Sequence, residues 1–423
     1  MIKAFYQSEA CIVPWRDFRI WIFIVFLSFT ISSFIPSLTT TTNTDLEVKL
    51  IPTISYAGIK LPPAGTGSIY NFKAIAQEQQ LPKAAYQLST SKPNFWCASV
   101  EGTGLLYNKV PKSASSTVVS VVLRIKDRIS HRFFTNKHVC RTSVKHHHNY
   151  TAGENFLSRD RKRSFLLGSI RNPATRAMSR VFHLYVTQAK LKPTDENVLK
   201  WLNVTHSHYG SVSPGMGGFQ LAYLSMHKLQ EYSGWDPSYP TNVSNPGAIY
   251  GIVKEIMADY DMIIVTERLS ESLVALQLIL DLKTTDILYL SSKVGGKSYI
   301  KGKFTKLEKG KCTLVKKTSV SPAISKYLLS KEWYAKSFGD YLLQETASLS
   351  LDLTIEALGQ ERFHEALLKF ENLNKRAKEE CTSKADYPCS KDGNLQRKIS
   401  RESCYKNDFG CGHRCLDTFE ENY

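Results

Sequence analysis

Three short apolar runs organise this chain, each followed by a turn and then by apolar positions at helical spacing. Leu105 to Val110 is the first, and it is short enough for a buried strand. Pro111 ends it, and beyond a turn of small hydroxyl residues come Val118, Val121, Val122, Ile125 and Ile129. Ser164 to Ile170 is the second; it ends in Arg171-Asn172-Pro173, and Met178, Val181, Phe182 and Tyr185 follow. Met262 to Val265 is the third, with Ser270 expected to cap a helix whose apolar face holds Leu273, Leu276 and Leu280. Strand and helix alternating in this way predict an α/β fold, a parallel sheet flanked by helices. Residues 321–378 then read as helical, with Trp333, Tyr334, Leu353, Ile355 and Leu358 as apolar positions.

The same pattern divides the rest of the chain. From Ile20 to Ile35 there is no charge and a dense apolar run, with Arg16 and Arg19 on its N-terminal side. With its flanks the run reaches the length of about 17–25 residues that spans a bilayer. The expected organisation is a cytosolic tail at 1–18, a transmembrane signal anchor at 19–36 and a luminal stem at 37–95, with no apolar periodicity in the stem. A catalytic domain at 96–378 and a cysteine-rich extension at 379–423 complete the chain. A cleaved signal peptide is the rival reading of the first apolar run, and it leads to the same secretory compartment.

Charge and cysteines add to this picture. The 423 residues carry a formal charge of +17 at pH 7 and are 42% hydrophobic. A basic chain with a real core predicts anionic partners, and without a helix-turn-helix, zinc-finger or RNP motif nucleic acid is not among them. Of nine cysteines, Cys11 falls in the expected cytosolic tail. The remainder (Cys97, Cys140, Cys312, Cys381, Cys389, Cys404, Cys411 and Cys415) form an even set, as a disulfide framework requires. A zinc site is the alternative for the last five, although no Cys-x-x-Cys spacing occurs among them. Sequons at Asn149, Asn203 and Asn242 fit a luminal chain; Asn203 and Asn242 are expected to carry glycans and Asn149 to be unmodified.

The first two turns carry candidate chemistry. Strand, small-residue turn and helix is how a fold offers backbone N–H groups and a helix N-terminus to a phosphate. Lys112 adds a point charge to such a turn, and the hydroxyls of Ser113, Ser115, Ser116 and Thr117 add donors. A Walker A motif needs a glycine before the lysine, where Val110-Pro111 stand. The plainer reading is a hydroxyl-rich loop capping a helix. At the second turn, Pro173 suits a first helical position, Arg171 ends the strand, and Ser179 lies about two turns into the helix. An arginine fork and a hydroxyl there can grip a second phosphate.

Together these stretches resemble the two cosubstrate signatures of Golgi carbohydrate sulfotransferases. Pro111-Lys112-Ser113-Ala114-Ser115-Ser116-Thr117 resembles the loop that holds the 5′-phosphosulfate of 3′-phosphoadenosine 5′-phosphosulfate (PAPS). Arg171-Asn172-Pro173 with Ser179 resembles the signature that holds the 3′-phosphate. Asp261 to Val274 and Ala357 to Phe363 are similar to stretches of the galactose-3-O-sulfotransferases, the group that includes galactosylceramide sulfotransferase. Arg268 and Ser270 stand where that group often has an aromatic and an acid. The resemblance covers roughly residues 100–370 and implies a sulfotransferase fold with a P-loop-like phosphosulfate-binding turn.

It also implies a reaction. Sulfuryl transfer resembles phosphoryl transfer, with in-line attack by a hydroxyl and charge building on the leaving oxygen. Lys112 fits the cation at that oxygen, with Ser113, Ala114, Ser115, Ser116 and Thr117 around the 5′ groups, and the scheme requires no metal. The family's catalytic histidine aligns to His148, with His146 as a supporting substrate ligand; His147 and His146 are alternatives for the base. Glu267 is a further alternative base, or else a structural acid at a helix start. The implied activity is sulfuryl transfer from PAPS to a sugar hydroxyl, the galactose 3-hydroxyl first, on a glycolipid or glycoprotein in the Golgi lumen. A uronic acid 2-hydroxyl of a glycosaminoglycan is the alternative acceptor, and an inactive secretory glycan-binding protein is the non-enzymatic alternative. A P-loop kinase is disfavoured, because the Walker A motif is missing.

Overall fold

The structure is a computed structural model that describes residues 70–85, 103–133, 156, 158–204, 218–225, 246–290, 304–306, 312–314, 316–385, 394 and 412–419. The expected anchor at 19–36 lies outside these residues. Among the described residues no helix is long and apolar enough to cross a membrane.

Three parallel strands stand where the apolar runs predict them. Strand β1 (Gly104–Tyr107) pairs with β2 (Ser164–Ile170), which pairs with β3 (Met262–Val265), in the order β1-β2-β3. Leu105 lies opposite Phe165, and Ile170 lies opposite Val265. Every residue of the three strands is buried. Strands covered on both faces read as unbroken apolar runs, which is why they were legible. Side chains alternate between two cores. Leu106, Leu166, Ile170, Ile263 and Val265 enter one of them, and Leu105, Tyr107, Phe165, Leu167, Met262 and Ile264 enter the other.

Helices cover both faces, giving three layers. The first face carries α1 (Phe72–Glu78), α3 (Pro173–Val181), a π-helical turn (Phe182–Gln188), α4 (Asp195–Val204), α5 (219–225), α6 (Pro246–Asp259), α8 (Pro322–Leu328), α9 (Lys331–Lys336) and the start of α10 (Phe338–Leu358). The second carries α2 (Ser115–Phe133), α7 (Leu269–Ile279), the end of α10, α11 (Gln360–Cys381) and α12 (His413–Asp417). Two short strands, Phe304–Lys306 and Cys312–Leu314, pair antiparallel apart from this sheet.

The structure departs from expectation in four places. Strand β1 stops at Tyr107, although Asn108 N–H still donates to Leu167 O at 2.9 Å; Pro111, with no N–H, could not have extended the ladder. Ser270 caps nothing. A 3-10 turn, Thr266–Arg268, leads directly from β3 into α7, whose N-cap is Arg268 without a side-chain cap bond. The buried Ser272 hydroxyl instead accepts from Val265 N–H at 3.2 Å. The helical stretch after 321 is four helices, broken at the N-caps Ser330 and Ser337 and at Gly359, where φ is +87°. Finally, part of the expected stem is core. Phe72 and Ala76 are buried, and the Phe72 ring lies 5.3 Å from Phe338 and 5.4 Å from Tyr341. Beyond α1 the backbone is pinned to α10, by Lys83 N–H on Ser350 Oγ and Ala85 N–H on Thr354 Oγ1. The folded unit thus reaches back at least to Tyr70. A seven-residue helix burying two side chains is too short to leave a periodic signal in sequence.

The C-terminal segment is fixed by a crosslink and a clasp. Cys381 and Cys415 form a disulfide that ties α12 to the end of α11. Against α2, the Arg124 side chain donates to Asp417 Oδ1 at 3.1 Å and to the carbonyls of Leu288 at 2.6 Å and Thr285 at 2.8 Å. His413 is buried beside Ser120, with Nε2 and Oγ 3.4 Å apart. Burial, with Arg124 nearby, pushes its imidazole down to about 4. A histidine depressed in the folded state binds its proton more weakly there than in the unfolded chain, so stability falls as pH drops from about 6.5 toward 4. Between pH 7 and pH 5 the wild-type chain should lose about 2 kcal/mol more unfolding free energy than His413→Gln, at 1.36 kcal/mol per unit. Urea denaturation at the two pH values tests this, and parallel losses in the two proteins would contradict it.

Candidate anion-binding site

The C-terminal ends of the three strands bring three loops to one edge of the sheet, the edge where ligands bind in open α/β folds. After β1 comes the turn 111–114. Lys112 has φ +71° and Ala114 φ +54°, left-handed conformations that a Cβ makes costly by roughly 1–2 kcal/mol each. Strain of that kind persists only where surrounding structure holds it. Backbone that alternates into the left-handed region turns successive N–H groups toward one point and forms an anion-binding concavity. Helix α2 starts at once, with Thr117 and Val118 N–H donating to Ala114 O at 2.9 and 3.1 Å. Lys112, Ala114, Ser116 and Thr117 are half-buried, and Ser115 is buried.

Ser113 differs from expectation. It is wholly buried, its hydroxyl donates to Val110 O at 2.8 Å, and its Oγ lies 2.8 Å from Ser169 Oγ. The hydroxyl therefore points beneath the turn, which leaves the backbone N–H as the group Ser113 can offer a ligand.

After β2, Asn172 caps α3, its Oδ1 accepting from Thr175 N–H at 3.2 Å, and Pro173 occupies the first turn as predicted. Arg171 is held by its main chain. Its N–H donates to Gln220 Oε1 at 2.9 Å, and its carbonyl accepts from Gln220 Nε2 at 2.7 Å. Its guanidinium reaches across to the first loop, with Nη1 donating to Lys112 O at 3.3 Å. Ser179 is half-buried on α3. The two stretches singled out in the sequence are thus in direct contact.

After β3, Glu267 takes a supporting position. Its Oε1 accepts from Asn172 N–H at 2.9 Å, while Oε2 is closed off from solvent and has no hydrogen-bond partner. Burial raises its carboxyl above the usual range, against the pull of the Asn172 N–H and Arg171. Of its two readings, the structural acid fits this geometry, because a base needs an open path to a substrate proton.

Behind Arg171 lies a set of buried polar groups that no local sequence pattern marks. Gln220 lies in the first turn of α5, and Gln220 and Leu221 N–H both donate to Asp340 Oδ1 at 2.7 Å. Burial pushes the Asp340 carboxyl up to about 6, opposed by Arg176 and those N–H groups. Gly218 is required here: its φ is +141°, and a Cβ would lie 2.2 Å from Asp340 Cγ. Arg176 stacks on Phe219 with Cζ 4.2 Å from the ring centroid, and burial lowers its guanidinium to about 10. In sequence, Gln220 has no partner within reach of a local pattern, because Arg171 and Asp340 lie 49 and 120 residues away.

His146, His147, His148, Asn149 and Asn242 lie outside the described residues. Asn203 is exposed at the end of α4, its Oδ1 accepting from Tyr327 OH at 2.6 Å and Lys336 Nζ at 3.1 Å. Among the described residues no group of three or more His, Cys, Asp or Glu side chains is placed to hold a metal ion. Compared with protein-family models, with curated proteins and with solved structures, the chain matches none.

Proposed function

We propose that this chain is a PAPS-dependent carbohydrate sulfotransferase of the Golgi lumen, held in the membrane by an anchor at 19–36 and acting on a galactose 3-hydroxyl. The observation that carries the reading is the contact between its two anion grips. A left-handed turn bearing Lys112 and a strand end bearing Arg171 meet at 3.3 Å on one edge of a parallel sheet. A nucleotide with phosphate groups on both the 5′ and 3′ positions of one ribose needs two cationic grips side by side, and the residues present fit that demand.

In this reading the N–H groups of Ser113, Ala114, Ser115, Ser116 and Thr117, with the outer hydroxyls, hold the 5′ groups, and Lys112 neutralises charge at the leaving oxygen. Arg171 and Ser179 hold the 3′-phosphate. Glu267 keeps the Asn172 N–H occupied and so fixes the loop that carries Arg171. His148 takes the proton of the attacking sugar hydroxyl, with His146 in support. When bound, PAPS supplies the sulfuryl group that passes to the sugar oxygen. The galactose acceptor is drawn from the likeness of residues 261–274 to the galactose-3-O-sulfotransferases.

The test uses the purified full chain, adenosine 3′,5′-bisphosphate and labelled PAPS. Calorimetry should show binding of the bisphosphate, and label should pass to galactose-terminated glycans. Label on uronate-containing glycans instead would correct the acceptor. Binding with no transfer to either class would reject the enzyme, and absence of binding would reject the site.

A further inference from the structure

Beneath the candidate turn runs a chain of buried hydroxyls that the proposed mechanism does not use. Tyr107 OH lies 2.7 Å from Ser169 Oγ, and Ser169 Oγ lies 2.8 Å from Ser113 Oγ. The Ser113 hydroxyl donates to Val110 O at 2.8 Å. All four residues are wholly buried. A hydroxyl has one proton to give. Ser113 spends its proton on Val110, so Ser169 must donate to Ser113, and Tyr107 must donate to Ser169. The chain therefore has one direction and ends on the carbonyl just before Pro111. It also joins three places that matter. Tyr107 ends β1, Ser113 sits between the two left-handed residues Lys112 and Ala114, and Ser169 lies on β2 two residues before Arg171.

We propose that Ser169 is a positioning residue: through Ser113 it holds the strained Lys112–Ala114 turn against the strand that carries Arg171, and so sets the spacing between the two anion grips. This rests on the nucleotide reading given above. The physical case is that a left-handed pair of non-glycine residues survives only if something holds it, and Ser113 is the residue between them. In a buried setting each hydroxyl bond is stronger than in solvent, and breaking one is costly. Ser169 is the only member of the chain that touches both of the other side chains. Removing it takes the Ser169 bond from Tyr107 OH and leaves Ser113 Oγ short of a donor in a fully buried place. The turn can then relax toward ordinary backbone angles, and its N–H groups lose their common aim. The Arg171 main chain does not depend on these hydroxyls, because Gln220 grips it from the other side, while the 3.3 Å bond from Nη1 to Lys112 O ties its side chain to the turn.

That asymmetry gives a test that a merely structural role would not pass. Adenosine 5′-phosphosulfate probes the turn, and adenosine 3′-monophosphate probes the Arg171 grip. With the full chain and calorimetry, Ser169→Ala should weaken binding of the 5′ probe by about tenfold or more, the loss of about one buried hydrogen bond. Binding of the 3′ probe should change less than twofold. In turnover, the KM for PAPS should rise more than kcat falls. Tyr107→Phe removes the Tyr107–Ser169 bond, leaves Ser169 donating to Ser113, and should weaken the 5′ probe by less than threefold. It serves as the folded control if Ser169→Ala is unstable, and Ser169→Thr, which keeps the hydroxyl, should restore the 5′ probe toward wild-type binding. Equal weakening of both probes, or an unchanged 5′ probe in Ser169→Ala, would overturn the positioning role while leaving the nucleotide site intact. A wild-type chain that binds neither probe would overturn the nucleotide reading and this inference with it.

Discussion

Lys112→Ala should lower sulfuryl transfer from PAPS by about a thousandfold, the scale seen when one preorganised donor is removed from a developing negative charge. The thermal midpoint should move by no more than a few degrees. The side chain is half-buried at the start of a turn whose backbone is held from below, so in the proposed reading its charge serves chemistry more than packing. A second variant separates charge from backbone. Lys112 has φ +71°, which glycine adopts without penalty. Lys112→Gly should therefore fold at least as well as Lys112→Ala, since glycine relieves the left-handed strain, and it should be equally inactive. Product formation with labelled PAPS, together with thermal unfolding of both variants, decides the matter. If either variant kept a tenth of the wild-type rate, Lys112 would not be the cation at the leaving oxygen.

Arg124→Met should cost about 3–5 kcal/mol of unfolding free energy, the range for breaking a buried charged network by removing one partner. Arg124 is 1% exposed and donates to Leu288 O, Thr285 O and Asp417. Burial holds its guanidinium below its ordinary range, with Asp417 pulling the other way. Methionine replaces the apolar stem and none of the donors. The two carbonyls at 2.6 and 2.8 Å then stay buried without their donor, which is the expensive outcome. Asp417 is 46% exposed and can turn to water, so the carbonyls rather than the ion pair carry most of the loss. The neighbouring Arg128, with Nη1 3.6 Å from Asp417 Oδ1, and the disulfide from Cys381 to Cys415 keep the C-terminal helix nearby. Urea denaturation should show a lower midpoint with little change in slope. A loss below 1 kcal/mol would mean that the segment tolerates the missing bonds by local rearrangement.

How much of this was legible in the chain follows from the range of each interaction. The strands were visible because a parallel strand buried on both faces is one apolar run, and Pro173 at a helix start was visible because its fixed φ suits that position. The groups behind Arg171 were not. Gln220 bonds Arg171 across 49 residues, and Asp340 bonds the α5 N-terminus across 120. Both are single polar residues inside otherwise ordinary stretches. Ser113 shows the same limit in reverse. A serine in a hydroxyl-rich turn reads as a ligand, yet a partner 56 residues away draws its side chain inward.

Hydrophobic rhythm alone was enough to specify an α/β sheet, its three strands and the loops at their ends, because burial on a given face is written in local spacing. Which loop touches which, that Ser113 turns its hydroxyl into the core, and that residues 70–85 pack into the folded unit were settled only by packing. Those outcomes depend on polar groups that meet across long stretches of chain, and no window of neighbouring residues contains both partners of such a bond.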